Sequence, residues 1–162
     1  MVRSKSNASD PFAAALRLLT RRDRSEAELR RKLMQLGFSM SAIDDTIAKC
    51  REYNYLDDLR YATERARSLA RNGRGVGHKI SQDLHQRGID ELIVQQAMET
   101  AEQEFPSAEI LCEQMKRRFP KFDYETADQK ERRRVISFFQ RRGFPLELIF
   151  STIKNPPTFS PT

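Results

Sequence analysis

The chain has 162 residues, of which 38% are hydrophobic and 32% are charged, and its formal net charge is +6. This length suits one globular domain, or three modules of roughly 50 residues that share packing because each alone buries little core. No apolar run approaches the roughly 20 residues of a membrane span, and no signal-peptide core is present, so we expect a cytoplasmic protein without membrane contact.

The first module is predicted at residues 11–54, after a lead-in at residues 1–10 that we expect to be disordered. Its first helix begins near Pro11, a residue well suited to the first turn of a helix. Ser25 and Glu28 match a capping box, so a second helix begins there. The apolar residues expected on the buried faces of these two helices are Phe12, Ala15, Leu16, Leu19, Leu29, Leu33 and Leu36.

Three consecutive cations, Arg30, Arg31 and Lys32, lie on the second predicted helix. At about 100° per residue, Arg31 points away from the leucine face, and its two neighbours flank that face. We therefore expect Arg31 to be a surface charge that is available to a partner. A third helix is predicted to begin at a second capping box, formed by Ser41 and Asp44.

The second module is predicted at residues 55–104 and begins with the sequence YLDDLRYA. Asp57 is placed to cap the fourth helix, while Tyr55 and Leu56 pack at the boundary between modules. Because neighbours in sequence do not face each other on a helix, we expect the adjacent Asp58 to be solvated or salt-bridged and to take no part in acid–base chemistry. The residues expected to be buried on the fourth helix are Leu59, Ala62, Ala66 and Leu69.

The sequence NGRGVG at residues 72–77 is a glycine-rich loop before the fifth helix. A nucleotide-binding loop would follow a strand and end in Lys-Ser or Lys-Thr, and both features are missing. We favour a flexible joint, or a backbone contact to a nucleic-acid phosphate. His78 and His85 are roughly 10 Å apart along their helix, too far to share a metal ion. Cys50 and Cys112 fall on apolar stripes, which favours core packing, so we expect no metal and no cofactor.

The third module is predicted at residues 105–155, before a tail at residues 156–162 that we expect to be disordered. Its middle helix carries Arg132, Arg133 and Arg134. Arg133 points away from the buried face of that helix.

One apolar pattern occurs in all three modules and is centred on Gly37, Gly88 and Gly143. Apolar residues stand eight and four places before each glycine and one, six and ten places after it. Steps of four predict two helices, joined at a glycine whose left-handed conformation ends the first of them. With one further helix before each pair, the sequence predicts an all-α fold of three tandem three-helix repeats, about nine helices, in an elongated, curved array. No coiled-coil seam is present, so we expect a monomer.

Basic and acidic residues are segregated along the chain. The first two helices of a module tend to be basic and the third acidic. This pattern suits a polyanion bound along one side, and ordinary solvated faces would also produce it. The cations that we select as candidate contacts from exposure and charge are Arg30, Arg31, Lys32, Arg71, Arg74, Lys79, Arg132, Arg133 and Arg134.

The sequences SEAELRRKL at residues 25–33 and YLDDLRYA at residues 55–62 resemble the RecX family of bacterial regulatory proteins. The resemblance extends from about residue 11 to residue 154. The family commonly has a proline where Gly77 stands here. The resemblance implies three tandem three-helix repeats that lie in the groove of the RecA filament on DNA and restrain its ATPase, strand-exchange and coprotease activities. It therefore implies RecA and DNA as partners, although the family motif does not single out the candidate cations.

Other functions fit the sequence less well. An autonomous DNA-binding protein with tandem helix-turn-helix-like modules would place each third helix in the major groove, yet these helices are the acidic ones. Nonspecific DNA binding is still expected, and it should weaken steeply with added salt. A helical-repeat scaffold for an uncharged partner would bind almost independently of salt. An enzyme is not predicted, because the sequence has no metal-ligand spacing, nucleophile elbow or strand framework.

Overall fold

The computed structural model describes residues 10–155, and within this range it contains nine α-helices and no β-strand. The helices are α1 (Pro11–Arg21), α2 (Glu26–Gln35), α3 (Met40–Glu52), α4 (Asp58–Arg71), α5 (His78–Gln86), α6 (Glu91–Glu104), α7 (Ser107–Arg118), α8 (Gln129–Gln140) and α9 (Leu146–Lys154). We call each group of three consecutive helices a module. The all-α fold of three three-helix repeats is thus confirmed, whereas the predicted disorder at residues 1–9 and 156–162 lies outside the described residues. None of the described helices has the length and apolar character needed to span a membrane.

The same hydrogen-bonded turn ends the middle helix of every module. Gly37, Gly88 and Gly143 have φ angles of +88°, +73° and +95°, which place them in the left-handed region. In each turn the residue after the glycine donates its backbone N–H to the carbonyl oxygen five residues earlier, and the glycine N–H donates to the carbonyl three residues earlier. These two bonds satisfy carbonyl groups that would otherwise be left free at a helix end.

The apolar pattern of the repeat forms the core. Every position of the pattern is buried except Phe38 and Met98, which are partly buried. The second and third modules share one continuous cluster, in which the Phe139 ring lies edge-to-face against Phe138 and Phe144 at centroid distances of 5.1 and 5.5 Å. The first module has a separate cluster of its own. The expected sharing of core packing therefore holds between the second and third modules.

Hydrogen bonds at the N-terminus of α2 connect the first module to the second. The predicted capping box is present: the Ser25 hydroxyl accepts from Glu28 N at 3.1 Å, and the Glu28 carboxylate accepts from Ser25 N at 3.1 Å. The same hydroxyl donates to Arg87 O, at the end of α5, over 2.5 Å. Asp58, at the start of α4, accepts from Glu26 N at 2.8 Å. The expectation that Asp58 is solvated or salt-bridged was therefore wrong.

Three further expectations about local structure were wrong. Leu36 is 59% exposed, because it is the C-cap residue of α2 and lies past the last turn that faces the core. Leu59, in the first turn of α4, is 44% exposed. The N-cap of α3 is Ser39, which accepts from Ala42 N, so α3 begins two residues before the predicted capping box.

The boundary between the first two modules was predicted in part. Leu56 is 5% exposed and belongs to the cluster of the first module, as expected. Tyr55 is 51% exposed, and its ring lies 6.0 Å from that of Tyr53 and 6.5 Å from that of Phe12. Tyr55 therefore lies at the surface of the boundary instead of in its interior.

The glycine-rich loop at residues 72–77 packs against the third module and is not a free joint. Val76 is buried, and its backbone N–H donates to Arg142 O at 2.9 Å. A Cβ at Gly143 would lie 2.1 Å from Val76 O and 3.0 Å from Lys79 Cγ. The turn between α8 and α9 can approach the loop this closely only because Gly143 has no side chain.

Comparing Gly143→Ala with Gly37→Ala should distinguish the effect of this close approach on stability from the effect of the positive φ angle. Both substitutions place a side chain at a positive φ, which costs about 1–2 kcal/mol. Only Gly143→Ala also drives a methyl group into Val76 O, since nothing lies within 4 Å of a Cβ at Gly37. We expect Gly143→Ala to lower the free energy of unfolding in urea by about 1–3 kcal/mol more than Gly37→Ala. Equal losses would show that the loop does not constrain the turn.

Candidate functional site

The described residues contain no group of three or more His, Cys, Asp or Glu side chains that could hold a metal ion. Cys50 and Cys112 are free thiols, and burial raises the pKa of the Cys50 thiol, which makes it a poor nucleophile. His78 is exposed, and His85 is exposed with its Nε2 2.7 Å from Glu91.

The three candidate cations of α2 do not have the same surroundings. Arg31 and Lys32 are exposed and form no ion pair with the described residues. Arg30 is partly buried, and its guanidinium lies 3.1 Å from Glu26 and 2.5 Å from Asp44. Arg30 thus links α2 to α3, so its charge is already neutralised within the module.

The cations of α8 divide in the same way. Arg133 and Arg134 are exposed and unpaired in the described part of the chain. Arg132 lies with its guanidinium carbon 4.5 Å from the centroid of the Tyr124 ring and donates to Glu125 O at 3.3 Å. It therefore fixes the connection between α7 and α8, whereas its two neighbours face outward.

The candidates near the glycine-rich loop lie next to the third module. Arg71 is exposed, with its guanidinium carbon 5.4 Å from the centroid of the Phe105 ring. Arg74 is exposed and has no ion-pair partner among residues 10–155. Lys79 is partly buried beside the turn that contains Gly143. Arg71 and Arg74 line one open space.

That space is a cleft of about 360 Å³ between the end of α4, helix α7 and the turn after α8, which we call the junction cleft. It brings Arg71 and Arg74 together with three arginines that were not among the candidates. Glu113 is the single carboxylate that lines it. The arginines that line the junction cleft are Arg71, Arg74, Arg117, Arg118 and Arg142.

Arginine side chains crowd one wall of the junction cleft around a single aromatic ring. The guanidinium carbons of Arg142 and Arg118 lie 3.6 and 5.6 Å from the centroid of the Phe138 ring. Arg142 also donates to Phe138 O at 3.1 Å. Burial lowers the pKa of Arg142, and the positive charges of Arg118 and Arg141 lower it further. The ring attracts both cations, but no carboxylate neutralises them.

A second arginine-rich cleft, between the first and second modules, is also lined by three carboxylates, those of Asp23, Asp57 and Glu64. Arg65 donates two hydrogen bonds to Asp83, at 2.8 and 2.9 Å, and Arg87 donates to the same carboxylate at 2.8 Å. Arg87 also contacts Glu28 at 3.2 Å and the Tyr61 hydroxyl at 3.0 Å. Arg65 and Arg87 are therefore neutralised inside the protein, and Arg87 links the second module to Glu28 of the first.

The candidate interface is therefore limited to those candidate cations that have no partner within the described chain, together with the junction cleft. It contains the exposed pairs on α2 and α8 and the junction cleft. Sequence analysis missed the three cleft arginines, although the basic runs at residues 116–118 and 141–142 were visible. Their proximity to the end of α4 depends on the docking of the glycine-rich loop, which the sequence does not reveal.

Comparison with known proteins gives matches over most of the described chain. Three family models match in order: RecX, first three-helix domain, at residues 12–50; RecX, second three-helix domain, at residues 57–98; and RecX, third three-helix domain, at residues 107–153. Regulatory protein RecX of Syntrophotalea carbinolica is 44% identical over 142 residues, which are 88% of this chain and 93% of that protein. Regulatory protein RecX of Trichlorobacter lovleyi is 36% identical over 87% of this chain and 92% of its own.

A solved structure shares the fold. The crystal structure of RecX from Lactobacillus salivarius superposes with a TM-score of 0.74 at 22% identity, covering 90% of this chain and 93% of its own. Since the identity is low, this similarity concerns the fold alone.

The ion pairs around Asp83 should make stability depend on pH in the acid range. The hydrogen bond from Arg65 lowers the pKa of Asp83, against the effect of burial, and Arg87 adds to the lowering. A lowered pKa in the folded state stabilises the protein above the ordinary carboxyl pKa of about 4, and this stabilisation is lost as the pH falls through the folded-state value. Asp83→Asn should therefore lower the free energy of unfolding by about 1–2 kcal/mol at neutral pH and by less in acid.

Asp45→Asn is the matched control, because Asp45 is exposed and forms no ion pair with the described residues. Urea unfolding of the three proteins at neutral and acidic pH measures the difference. A loss for Asp83→Asn that stays constant with pH, or that Asp45→Asn reproduces, would contradict the assigned role of the pairs.

Proposed function

The chain belongs to the RecX family of regulatory proteins, and we propose that it binds the RecA filament on DNA and restrains the filament's ATPase, strand-exchange and coprotease activities. This function belongs to DNA recombination and repair and to the SOS response, in the cytoplasm. The observation that carries it is the set of exposed cations without partners on α2 and α8, represented by Arg31 and Arg133. Both lie on the middle helix of a module and face away from its buried side, but Arg31 is six residues before Gly37 and Arg133 is ten residues before Gly143.

A repeated fold offers a physical means of binding a filament. Successive modules can each present a cation to successive protomers, or to successive DNA phosphates. Several weak contacts on one chain raise the overall affinity without any deep pocket, since each contact after the first forms intramolecularly. A protein of this kind would act on a filament as a whole, because one bound molecule touches several protomers.

The charges also indicate how DNA would be contacted. Unpaired arginines and lysines bind phosphates without reading the base sequence, and binding releases counterions from the DNA. Helix α6 carries four glutamates and no basic residue, so it is unsuited to a major groove. We therefore propose nonspecific, salt-sensitive contact with DNA, and regulation by binding rather than by catalysis.

The first test is the DNA-dependent ATPase of RecA on single-stranded DNA, titrated with this protein from far below to near equimolar amounts. We expect inhibition when the protein is still much scarcer than RecA, because each bound molecule restrains many protomers. Absence of inhibition, together with salt-sensitive binding to bare DNA, would contradict the proposal and support an autonomous DNA-binding protein.

The charge-reversal pair Arg31→Glu and Arg133→Glu tests the surface that we assign. Replacing two contacting cations should weaken filament binding by roughly tenfold or more at physiological salt, since each change turns an attraction into a repulsion. The control pair is Arg17→Glu and Lys121→Glu, which changes the net charge equally at exposed residues that form no ion pair within residues 10–155. If both pairs weaken binding to the same extent, net charge rather than this surface governs the interaction.

A further inference from the structure

The junction cleft holds more positive charge than the protein itself neutralises. Arg74 and Arg117 are exposed and form no ion pair within the described chain. Arg118 and Arg142 contact the face of Phe138, and the single lining carboxylate belongs to Glu113. In the other arginine-rich cleft of the molecule, Arg22, Arg65 and Arg87 are paired with Asp83 or Glu28. The junction cleft has five arginines and one carboxylate, whereas three carboxylates line the other cleft, so we infer that an anion from outside completes the junction cleft.

The cost of bringing these arginines together supports the same conclusion. Like charges at short range repel, and the lowered pKa of Arg142 reflects both its burial and the repulsion by Arg118 and Arg141. A bound anion would remove this repulsion. The guanidinium group is suited to phosphate in particular, because its planar fork of N–H donors matches two phosphate oxygens.

A second observation concerns a neutral side chain in the same cleft. Gln114 is 8% exposed, its Oε1 is buried without a hydrogen-bond partner, and it makes no hydrogen bond with any described residue. The loop fixes its position, because a Cβ at Gly73 would lie 2.1 Å from Gln114 Nε2. The Nε2 amide group of Gln114 is a donor without a partner, and a phosphate oxygen, which only accepts hydrogen bonds, can satisfy it; the buried Oε1 is an acceptor and cannot bond a phosphate. Amide side chains are common ligands of nucleic-acid phosphate and sugar groups.

We propose that the junction cleft binds the phosphodiester backbone of a nucleic-acid strand, with Arg74, Arg117 and Arg118 on the phosphates and Gln114 as a neutral hydrogen-bonding ligand. The cleft is open and contains five arginines, more than one isolated phosphate or carboxylate can neutralise. Successive phosphates of one strand neutralise several cations at once. Arginines already cover the Phe105 and Phe138 rings, so these rings do not stack with bases. The contact therefore does not depend on base sequence.

This assignment gives the proposed function a site of contact with DNA. It rests on that function in one respect only, namely that the bound strand is the one inside the RecA filament. The cleft should bind a bare strand without RecA. The test is fluorescence anisotropy of a labelled single-stranded DNA oligonucleotide of about 20 nucleotides, longer than the site of one small domain, with the full chain and no RecA.

The variant is Arg74→Gln with Arg117→Gln, since both residues are exposed and their replacement leaves the packing intact. We expect the dissociation constant for the oligonucleotide to rise about tenfold or more at about 50 mM salt. The slope of log affinity against log salt should fall by about 1.4, which is about 0.7 for each lost phosphate contact to a single strand. Arg17→Gln with Lys121→Gln, which removes the same charge elsewhere, should change the dissociation constant by less than about twofold.

Gln114→Leu provides a second variant that keeps the net charge. It should weaken oligonucleotide binding without changing the salt slope, because it removes a neutral ligand only. Unchanged affinity in both the arginine variant and the Gln114 variant would overturn the proposal.

Two competitors distinguish the sources of the anion. At constant ionic strength, pyrophosphate and a polyglutamate peptide should each displace the oligonucleotide far less effectively than unlabelled DNA does. Displacement by pyrophosphate at equal phosphate concentration would overturn the strand assignment in favour of a free phosphate compound. Equally effective displacement by polyglutamate would overturn it in favour of an acidic protein segment.

The result of this test can be distinguished from the result of the test of the proposed function. If the wild-type protein inhibits RecA but the arginine variant binds the oligonucleotide normally, this inference fails and the proposed function stands. If the oligonucleotide binds through the cleft but RecA is not inhibited, the proposed function fails and the cleft assignment stands.

Discussion

The arrangement of the first two modules depends on the hydrogen bonds at the N-terminus of α2. Backbone N–H groups at the start of a helix have no partner within it. Here Ser25 and Glu28 satisfy two of them locally, while Asp58 reaches across from the second module to a third, and the Ser25 hydroxyl donates to Arg87 O. Hydrogen bonds are directional, whereas apolar contact is not, so these bonds fix the orientation of a module whose hydrophobic cluster is separate from the rest of the core.

The arginines fall into two groups, those that are paired within the protein and those that face outward. Those near the boundary of the first two modules, such as Arg65 and Arg87, are paired with carboxylates and contribute to the fold. Those on the outer faces of α2 and α8 are unpaired and available to a partner. The division occurs even between sequence neighbours, since Arg30 is bound to Glu26 and Asp44 while Arg31 faces outward. A strongly basic composition therefore does not by itself indicate which cations bind a polyanion.

Local features of the fold could be predicted because they depend on local physics. The left-handed glycines, the Ser25 capping box and the apolar stripes follow from backbone sterics and helical periodicity. Features that depend on neighbouring modules could not be predicted from the sequence. Asp58 was misassigned because its partner Glu26 is 32 residues away in sequence. For the same reason the junction cleft went unrecognised, since it requires the loop at residues 72–77 to dock on the third module. The partners of Arg30 and Arg132 were missed although they lie within the same module, because exposure was judged from the helical face alone. The predicted burial of Leu36 was wrong for another reason, because periodicity does not show where the last turn of a helix ends.

The central claim is that an arginine already paired within the protein does not contribute to binding the partner. The most direct measurement compares filament affinity for two single variants, Arg31→Gln and Arg65→Gln, under conditions in which both are fully folded. Each removes one positive charge, but only the charge of Arg65 is already neutralised, by Asp83. We predict that Arg31→Gln weakens binding to the RecA filament by about two- to fivefold and that Arg65→Gln leaves it close to wild type. Equal weakening by the two variants would contradict the claim.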